Sequence, residues 1–300
     1  MVRGALILAG ALLAVACGGE REWTVSATDS ATAPLRIVSL APSLTETLFA
    51  LGVGDRVVGV TRYCAYPPTV SELPKIGGHL DPNFEAIVSL EPDLVVAIPS
   101  SREQRLRLEA LGLRVLEVDQ HDIPAVLDSI ATVADVCGVG DRGGMLRSEI
   151  EGRLSVVETA VAGVGRPRVV IVVGHQAGGG QVRSVWAAGA DTFYDDVIRL
   201  AGGVNAVGEG LARYPEYSRE GLYSLDPDVV IDVIAGLEER DLDSADLRRQ
   251  WMRLTEIRAV RDGRVHVLEG DYMVVPGPRL PEIVEAVARA LHPDLDWSAE

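Results

Sequence analysis

From Arg36 onward, short apolar runs alternate with segments whose apolar residues recur every three or four positions. The short runs suit buried strands, and the three-or-four spacing suits helices with one apolar face. This pattern predicts strands at Arg36–Leu40, Val57–Val60, Leu94–Ala97 and Val115–Val118, and helices at Leu44–Leu51, Phe84–Leu90, Glu103–Leu111 and Ile123–Val136. A second set follows, with strands at Arg168–Val173, Val229–Val233 and Val265–Leu268 and helices at Thr192–Leu200, Ala245–Leu254 and Pro281–Leu291. Ser43 precedes the first helix and Glu46 stands three residues on, the spacing of a capping box, so Ser43 is expected as the cap. Alternation of this kind implies mainly parallel sheets covered by helices. The stretches left over, Thr61–Asn83, Gly174–Ala190, Gly202–Ser218 and Glu269–Leu280, read as long loops at strand ends, where α/β proteins hold ligands.

One segment breaks the alternation. Asp141 to Ala162 holds no proline, and its apolar residues Met145, Ile150, Leu154, Val157 and Val161 follow helical spacing. It reads as a single amphipathic helix of about 30 Å at 1.5 Å per residue. Gly143, Gly144 and Gly152 weaken it by about 1 kcal/mol each relative to alanine. On either side of this helix the chain repeats itself. Glu85-Ala86-Ile87-Val88-Ser89-Leu90-Glu91-Pro92-Asp93-Leu94-Val95-Val96 returns as Glu220-Gly221-Leu222-Tyr223-Ser224-Leu225-Asp226-Pro227-Asp228-Val229-Val230-Ile231. An echo at this distance, about one domain's length, indicates two related lobes rather than a solenoid. The expected architecture is α/β, two Rossmann-like lobes with mainly parallel sheets bridged by one long rigid helix: lobes 36–140 and 163–300, helix 141–162.

The N-terminus bears on compartment. A short basic start, an apolar run from Gly4 to Ala16 and small residues ending at Cys17 form a signal peptide too short to span a bilayer. The small-residue stretch stopping at cysteine resembles the bacterial lipobox, which implies that residues 1–17 are signal peptide and lipobox cysteine, that Cys17 is diacylated and becomes the new N-terminus, and that 18–35 is a polar tether. The net charge of −16 argues against nucleic acid and against adsorption to acidic headgroups. Lys75, the only lysine, is followed by Ile76, which excludes a Walker A loop. Glycines at Gly174 and Gly178 to Gly180 match no catalytic or phosphate-binding fingerprint, so the chain is not expected to be an enzyme. Cys64 and Cys137 remain once Cys17 is set aside; either they pair in an oxidising compartment or both are free thiols. No Cys or His pairs stand at zinc-ligand spacing.

Taken in order, Arg36-Ile37-Val38-Ser39-Leu40-Ala41-Pro42-Ser43, Gly52-Val53-Gly54-Asp55-Arg56-Val57-Val58-Gly59-Val60, Tyr66-Pro67-Pro68 and the two echoes resemble the substrate-binding proteins of ABC importers for vitamin B12, haem and iron–siderophores. The resemblance runs from about Arg36 to Leu291. It implies a monomeric body with no cofactor of its own, lipid-anchored at the outer face of the cytoplasmic membrane, which captures a macrocycle between its lobes. Its partner would be an ABC permease dimer with separate ATPase subunits, docked through a glutamate on each lobe, Glu85 and Glu220. Paired carboxylates on a rigid body orient docking more than they add affinity. Without the resemblance, both acids would read as helix N-terminal charges.

The same resemblance places ligand contacts in the loops. Tyr63 and Tyr66, with Asp271 and Tyr272, match the loops of the corrinoid-binding branch, so cobalamin or another corrinoid is the expected ligand. His79, Ile98 and Tyr214 stand where that branch often has tryptophan. Haem is the alternative, ligated by a cleft tyrosine or by His79, and ferric siderophores are a third reading. Arg62, Arg183, Arg213 and Arg279 lie in these loops as candidate partners for an anionic ligand.

Overall fold

A computed structural model describes residues 33–99, 102–178, 181–210, 212–234 and 244–297. The expected leader, Cys17 and most of the tether lie outside the described residues. The first sheet is built from β1 (Ile37–Ser39), β2 (Val57–Val60), β3 (Leu94–Ala97) and β4 (Val115–Glu117), in the order β2-β1-β3-β4. All its pairings are parallel. Helices α1 (Pro42–Ala50), α2 (Phe84–Ser89), α3 (Arg102–Ala110) and α4 (Ile123–Val136) connect and flank these strands. The two central strands, β1 and β3, are buried through and through, as parallel strands between helices must be.

Next comes α5 (Gly140–Ala160), 21 residues long. It packs on α4 of the first lobe and on α6 (Phe193–Leu200) and α10 (Leu280–Leu291) of the second. Gly143 is required here, because a Cβ at that position would lie 2.4 Å from the Ala134 Cβ of α4. One continuous apolar core runs from Leu44 and Leu48 through Ile130, Ile150 and Leu154 to Val197, Ile198, Val284 and Val287. The bridging helix is therefore welded to both lobes by side-chain packing, and lobe motion must disturb that core.

The second sheet holds β5 (Arg168–Gly178), β6 (Gln181–Ala187), β7 (Val204–Asn205), β8 (Glu216–Ser218), β9 (Val229–Ile234) and β10 (Val265–Glu269). Their order is β10-β9-β5-β6-β8, with β7 beside β5. Here the structure corrects two sequence expectations. The stretch from Gly174 to Ala190 is not a loop: β5 continues into an antiparallel hairpin with β6. Gly202–Ser218 likewise contains β7 and β8. Polar and glycine-rich composition hid these strands, because β6 and β8 are half-exposed and lack a continuous apolar run. Helices α7 (Arg219–Leu225), α8 (Ser244–Trp251) and α9 (Arg258–Arg261) complete the lobe. Within it, fully buried Trp251 donates its indole N–H to Asp232 at 2.7 Å. No helix among the described residues is long and apolar enough to cross a membrane.

The echo proves to be a repeated structural unit. Asn83 caps α2 by accepting from the Ala86 amide, and Ser218 caps α7 by accepting from the Gly221 amide. Glu91 and Asp226, one after each helix, take left-handed φ values of 45° and 40° ahead of the shared proline. Asp93 then accepts from the Arg36 amide at 3.0 Å, and Asp228 from the Arg168 amide at 2.8 Å. Arg36 donates back to the Leu90 carbonyl and Arg168 to the Leu225 carbonyl. In both lobes an arginine at the start of the central strand thus satisfies the carbonyl end of the echoed helix, where a cation is favoured.

One further correction concerns a single residue, and one open alternative is decided. Ser43 does not cap α1; the helix begins at Pro42, whose fixed φ and missing N–H suit the first helical position, and Ala41 precedes it without a side-chain cap. Ser43 instead donates to the side-chain Oε1 of Gln120 at 2.6 Å. Cys64 and Cys137 are separate, buried free thiols. Cys64 Sγ lies 3.2 Å from Thr45 Oγ1 and 3.1 Å from Thr61 Oγ1, while burial pushes the Cys137 thiol up.

Candidate functional site

A cavity of about 340 Å³ opens between the lobes. Its first-lobe wall comes from the carboxyl ends of three parallel strands: Ala41–Ser43 after β1, Ile98 and Pro99 after β3, and Asp119–His121 after β4. The facing wall is Asp191–Phe193, Arg213, Tyr214 and Val274–Pro276. Gly189 donates to the Arg213 carbonyl at 2.8 Å, which fixes the two second-lobe loops side by side. The wall is apolar along Pro42, Ile98, Pro99, Phe193 and Val274. Partial burial pushes the Tyr214 phenol up, so it faces the cavity as a neutral donor. Gln120 forms a fixed polar floor, donating to Ser129 at 2.9 Å and accepting from Ser43.

At one end the wall is charged. His121 has Asp119 at 2.7 Å on Nδ1 and Asp122 at 3.2 Å on Nε2, both from its own lobe. Asp191 of the opposite lobe lies 3.7 Å from the same Nε2. Arg213 donates to Asp191 at 3.1 Å. Close by, the Ile123 amide at the start of α4 donates across the lobes to Asp196 at 3.1 Å.

A different cluster closes the lobes. Arg279 donates two hydrogen bonds to Glu46 of α1, at 2.8 and 2.5 Å, and two to Asp271, at 2.9 and 3.2 Å. Its guanidinium lies 4.1 Å from the Tyr66 ring centroid and 5.6 Å from that of Tyr272. Here Glu46, expected as a capping-box acid, is almost fully buried and paired across the lobes instead. Burial raises its carboxyl above the usual range despite the arginine, whereas Arg279 holds Asp271 below it. Two carboxylates keep Arg279 charged. A Cβ on Gly277 would meet the Ser43 backbone at 3.3 Å, so the lobes nearly touch here.

The residues expected to hold ligand fall into four places. Tyr214 lines the cavity. Tyr66, Asp271 and Tyr272 gather around Arg279. Tyr63 is exposed, with Arg62 5.1 Å from its ring centroid. His79 is half-buried next to the Leu40 backbone, and burial pushes its imidazolium down. Sequence reasoning missed Asp119, His121, Asp191 and the Glu46–Arg279 pair. One signal was present for the first two, since they directly follow a predicted strand at its carboxyl end.

Glu85 and Glu220 occupy the second position of α2 and α7, each exposed, one on each lobe. Glu85 edges a shallow groove of about 560 Å³ with Asp81, Glu103 and Arg107. Glu220 accepts from Ser218 Oγ at 3.0 Å, and hydrogen bonds from its own amide and from Ser218 hold its carboxyl below the usual range.

The profile of the family described as Periplasmic binding protein matches residues 37–272. The chain is 30% identical over 269 residues to an uncharacterized ABC transporter substrate-binding lipoprotein, YvrC, of Bacillus subtilis, covering 87% of this chain and 81% of that protein. It is 27% identical over 268 residues to the vitamin B12-binding protein of Vibrio cholerae, covering 85% and 88%. Among solved structures, the periplasmic heme-binding protein BhuT in complex with two hemes matches with a TM-score of 0.74 and 31% identity, over 86% of this chain and 98% of that one. The chain therefore belongs to the periplasmic binding protein family, as an extracytoplasmic substrate-binding protein of an ABC transporter that serves a permease and is not an enzyme.

Proposed function

We propose that this protein captures a corrinoid between its lobes and delivers it to a permease dimer through Glu85 and Glu220. The observation that carries the ligand choice is the state of the site's cations. Arg213 is held by Asp191, Arg279 by Glu46 and Asp271, and Arg62 by Asp81 at 2.5 Å. An anionic ligand such as a propionate-bearing porphyrin or a catecholate needs cations it can pair with; pulling Arg279 away strands buried Glu46, and exposed Arg213 and Arg62 each stand beside a carboxylate that offsets their charge. A corrinoid rim is made of neutral amides, which accept and donate hydrogen bonds without demanding a free charge. The apolar wall and Tyr214 suit the flat face of the ring. The vitamin B12-binding relative supports the same reading.

Haem is the second reading. His121 and Tyr214, both donors to ferric iron, line one cavity from opposite lobes. The heme-binding structural relative supports it. In either case the residues before Cys17 act as a leader and Cys17 carries the lipid, as the lipoprotein relative supports. The acylated chain stays at the outer face of the cytoplasmic membrane, since two acyl chains anchor stably where one does not.

Titration of the body from Gly18 onward against cobalamin, cobinamide, haemin and ferric siderophores tests the ligand. Stoichiometric binding of the corrinoids, recovered unchanged, is the expected result; binding of haemin alone replaces it with the second reading. For docking, Glu85→Lys with Glu220→Lys abolishes transport and leaves corrinoid affinity within about twofold, as expected for charges that orient a partner. Loss of ligand binding in that variant would sink the docking role.

A further inference from the structure

The charged end of the cleft is not needed to close the lobes or to stack a ring, yet it is built from both lobes around one imidazole. Three carboxylates, Asp119, Asp122 and Asp191, stand within 3.7 Å of His121. Arg213, the one guanidinium lining the cavity among the described residues, is already bonded to Asp191. Asp119 and Asp191 nevertheless keep side chains that are 57% and 64% exposed, so their remaining lone pairs face the cavity as acceptors. Acceptors with net negative charge at a cavity wall attract N–H donors and repel carboxylates, and a low-dielectric cleft amplifies both effects.

From this we infer that Asp119 and Asp191, with His121 and Arg213 positioning them, select macrocycles whose rim carries amides over those whose rim carries carboxylates. The inference rests on the corrinoid reading of the cleft and adds the chemical feature that is read there. An amide N–H directed at this end gains a charge-assisted hydrogen bond. A carboxylate in the same place meets two like charges, and the guanidinium beside them is already paired. Discrimination by repulsion is the stronger half of such specificity, because like charges brought together lose several-fold more than a missing hydrogen bond does. Because Asp119 belongs to one lobe and Asp191 to the other, a ligand touching both also reports that the lobes are closed on it.

The test uses two corrinoids that differ in this feature: cobinamide, with amide side chains, and cobyrinic acid, with carboxylates in their place. Both are titrated at pH 7.5 into the body from Gly18 onward, which contains the whole described core. Cobinamide is expected to bind at least about 100-fold more tightly than cobyrinic acid. The Asp119→Asn, Asp191→Asn double variant is expected to narrow that ratio to about tenfold or less, chiefly by strengthening the acid. Asparagine suits both positions: it keeps the acceptor for the His121 amide, and it tolerates the left-handed φ of 63° at residue 191. Arg213→Gln should move the ratio the opposite way, since it removes a guanidinium from this end. Equal binding of the two corrinoids by the parent protein, or a ratio unmoved in both variants, overturns the inference while leaving the corrinoid reading in place. Binding of neither corrinoid overturns that reading and the inference with it.

Discussion

Two charged clusters cross between the lobes, and they are built for different tasks. In the first, Arg279 and Glu46 have side chains only 13% and 4% exposed, meet at 2.5 Å, and are flanked by two tyrosine rings. In the second, His121 and Asp191 are 26% and 64% exposed, meet at 3.7 Å, and share the space with further aspartates. Attraction between charges falls with the local dielectric and with screening, so the buried pair holds firmly while the exposed one is soft. A buried pair is also costly to break from one side only, because the surviving charge is stranded. The first cluster therefore sets the closed arrangement of the lobes. The second remains free to exchange partners, which is what contact with a ligand requires.

The largest test of this contrast removes the arginine of the buried cluster. Arg279→Met strands Glu46 inside the protein and should lower unfolding stability by about 3–5 kcal/mol in urea titration. Adding Glu46→Gln in the same chain should recover much of that loss, since no buried charge then remains. A loss below about 1 kcal/mol in the single variant would place this pair with ordinary surface ion pairs.

A pH series sharpens the picture within the buried cluster, because its two carboxylates shift in opposite directions. Glu46 is raised by burial, so the folded protein holds its proton more tightly than the unfolded chain, and its contribution to stability declines as pH rises from about 4.5. Asp271 is lowered by Arg279, so it contributes stability above about 3.8 that is lost as pH falls through its lower folded-state value. Urea midpoints between pH 3 and 7 should therefore lose the decline above the ordinary glutamate range in Glu46→Gln, and lose part of the acid drop in Asp271→Asn. Identical pH profiles in parent and variants would contradict both assignments.

The smallest expected effect lies in the exposed cluster. Arg213→Gln breaks a pair whose partners are 54% and 64% exposed, and the change in stability should stay within about 1 kcal/mol. That value, set beside the Arg279→Met result in the same buffer, measures the contrast directly. A loss as large as that of Arg279→Met would erase it.

Much of the framework could be read from residue order. Parallel strands announced themselves as short apolar runs, and α5 by apolar residues at helical spacing across about four turns. The echo went further than expected, since its proline, aspartate and flanking arginine recur as the same hydrogen-bonded unit in both lobes. Strands β6 and β8 escaped because half-exposed strands carry a weak apolar signal. Ser43 and Glu46 were misread for another reason: their spacing satisfies a local motif, but Pro42 starts the helix and both side chains find distant partners.

By itself the sequence determined what depends on neighbours along the chain: the α/β alternation, the bridging helix, the doubled turn and the exposed acids at the start of two helices. Only the tertiary structure decided what depends on partners far apart in the chain. Glu46 meets Arg279 across 233 positions, and Asp119 and His121 gain their meaning from Asp191 and Arg213 in the other lobe. Periodicity encodes which face of an element is buried, whereas the charge of a site is set by whichever side chains the packed lobes bring within reach of one another.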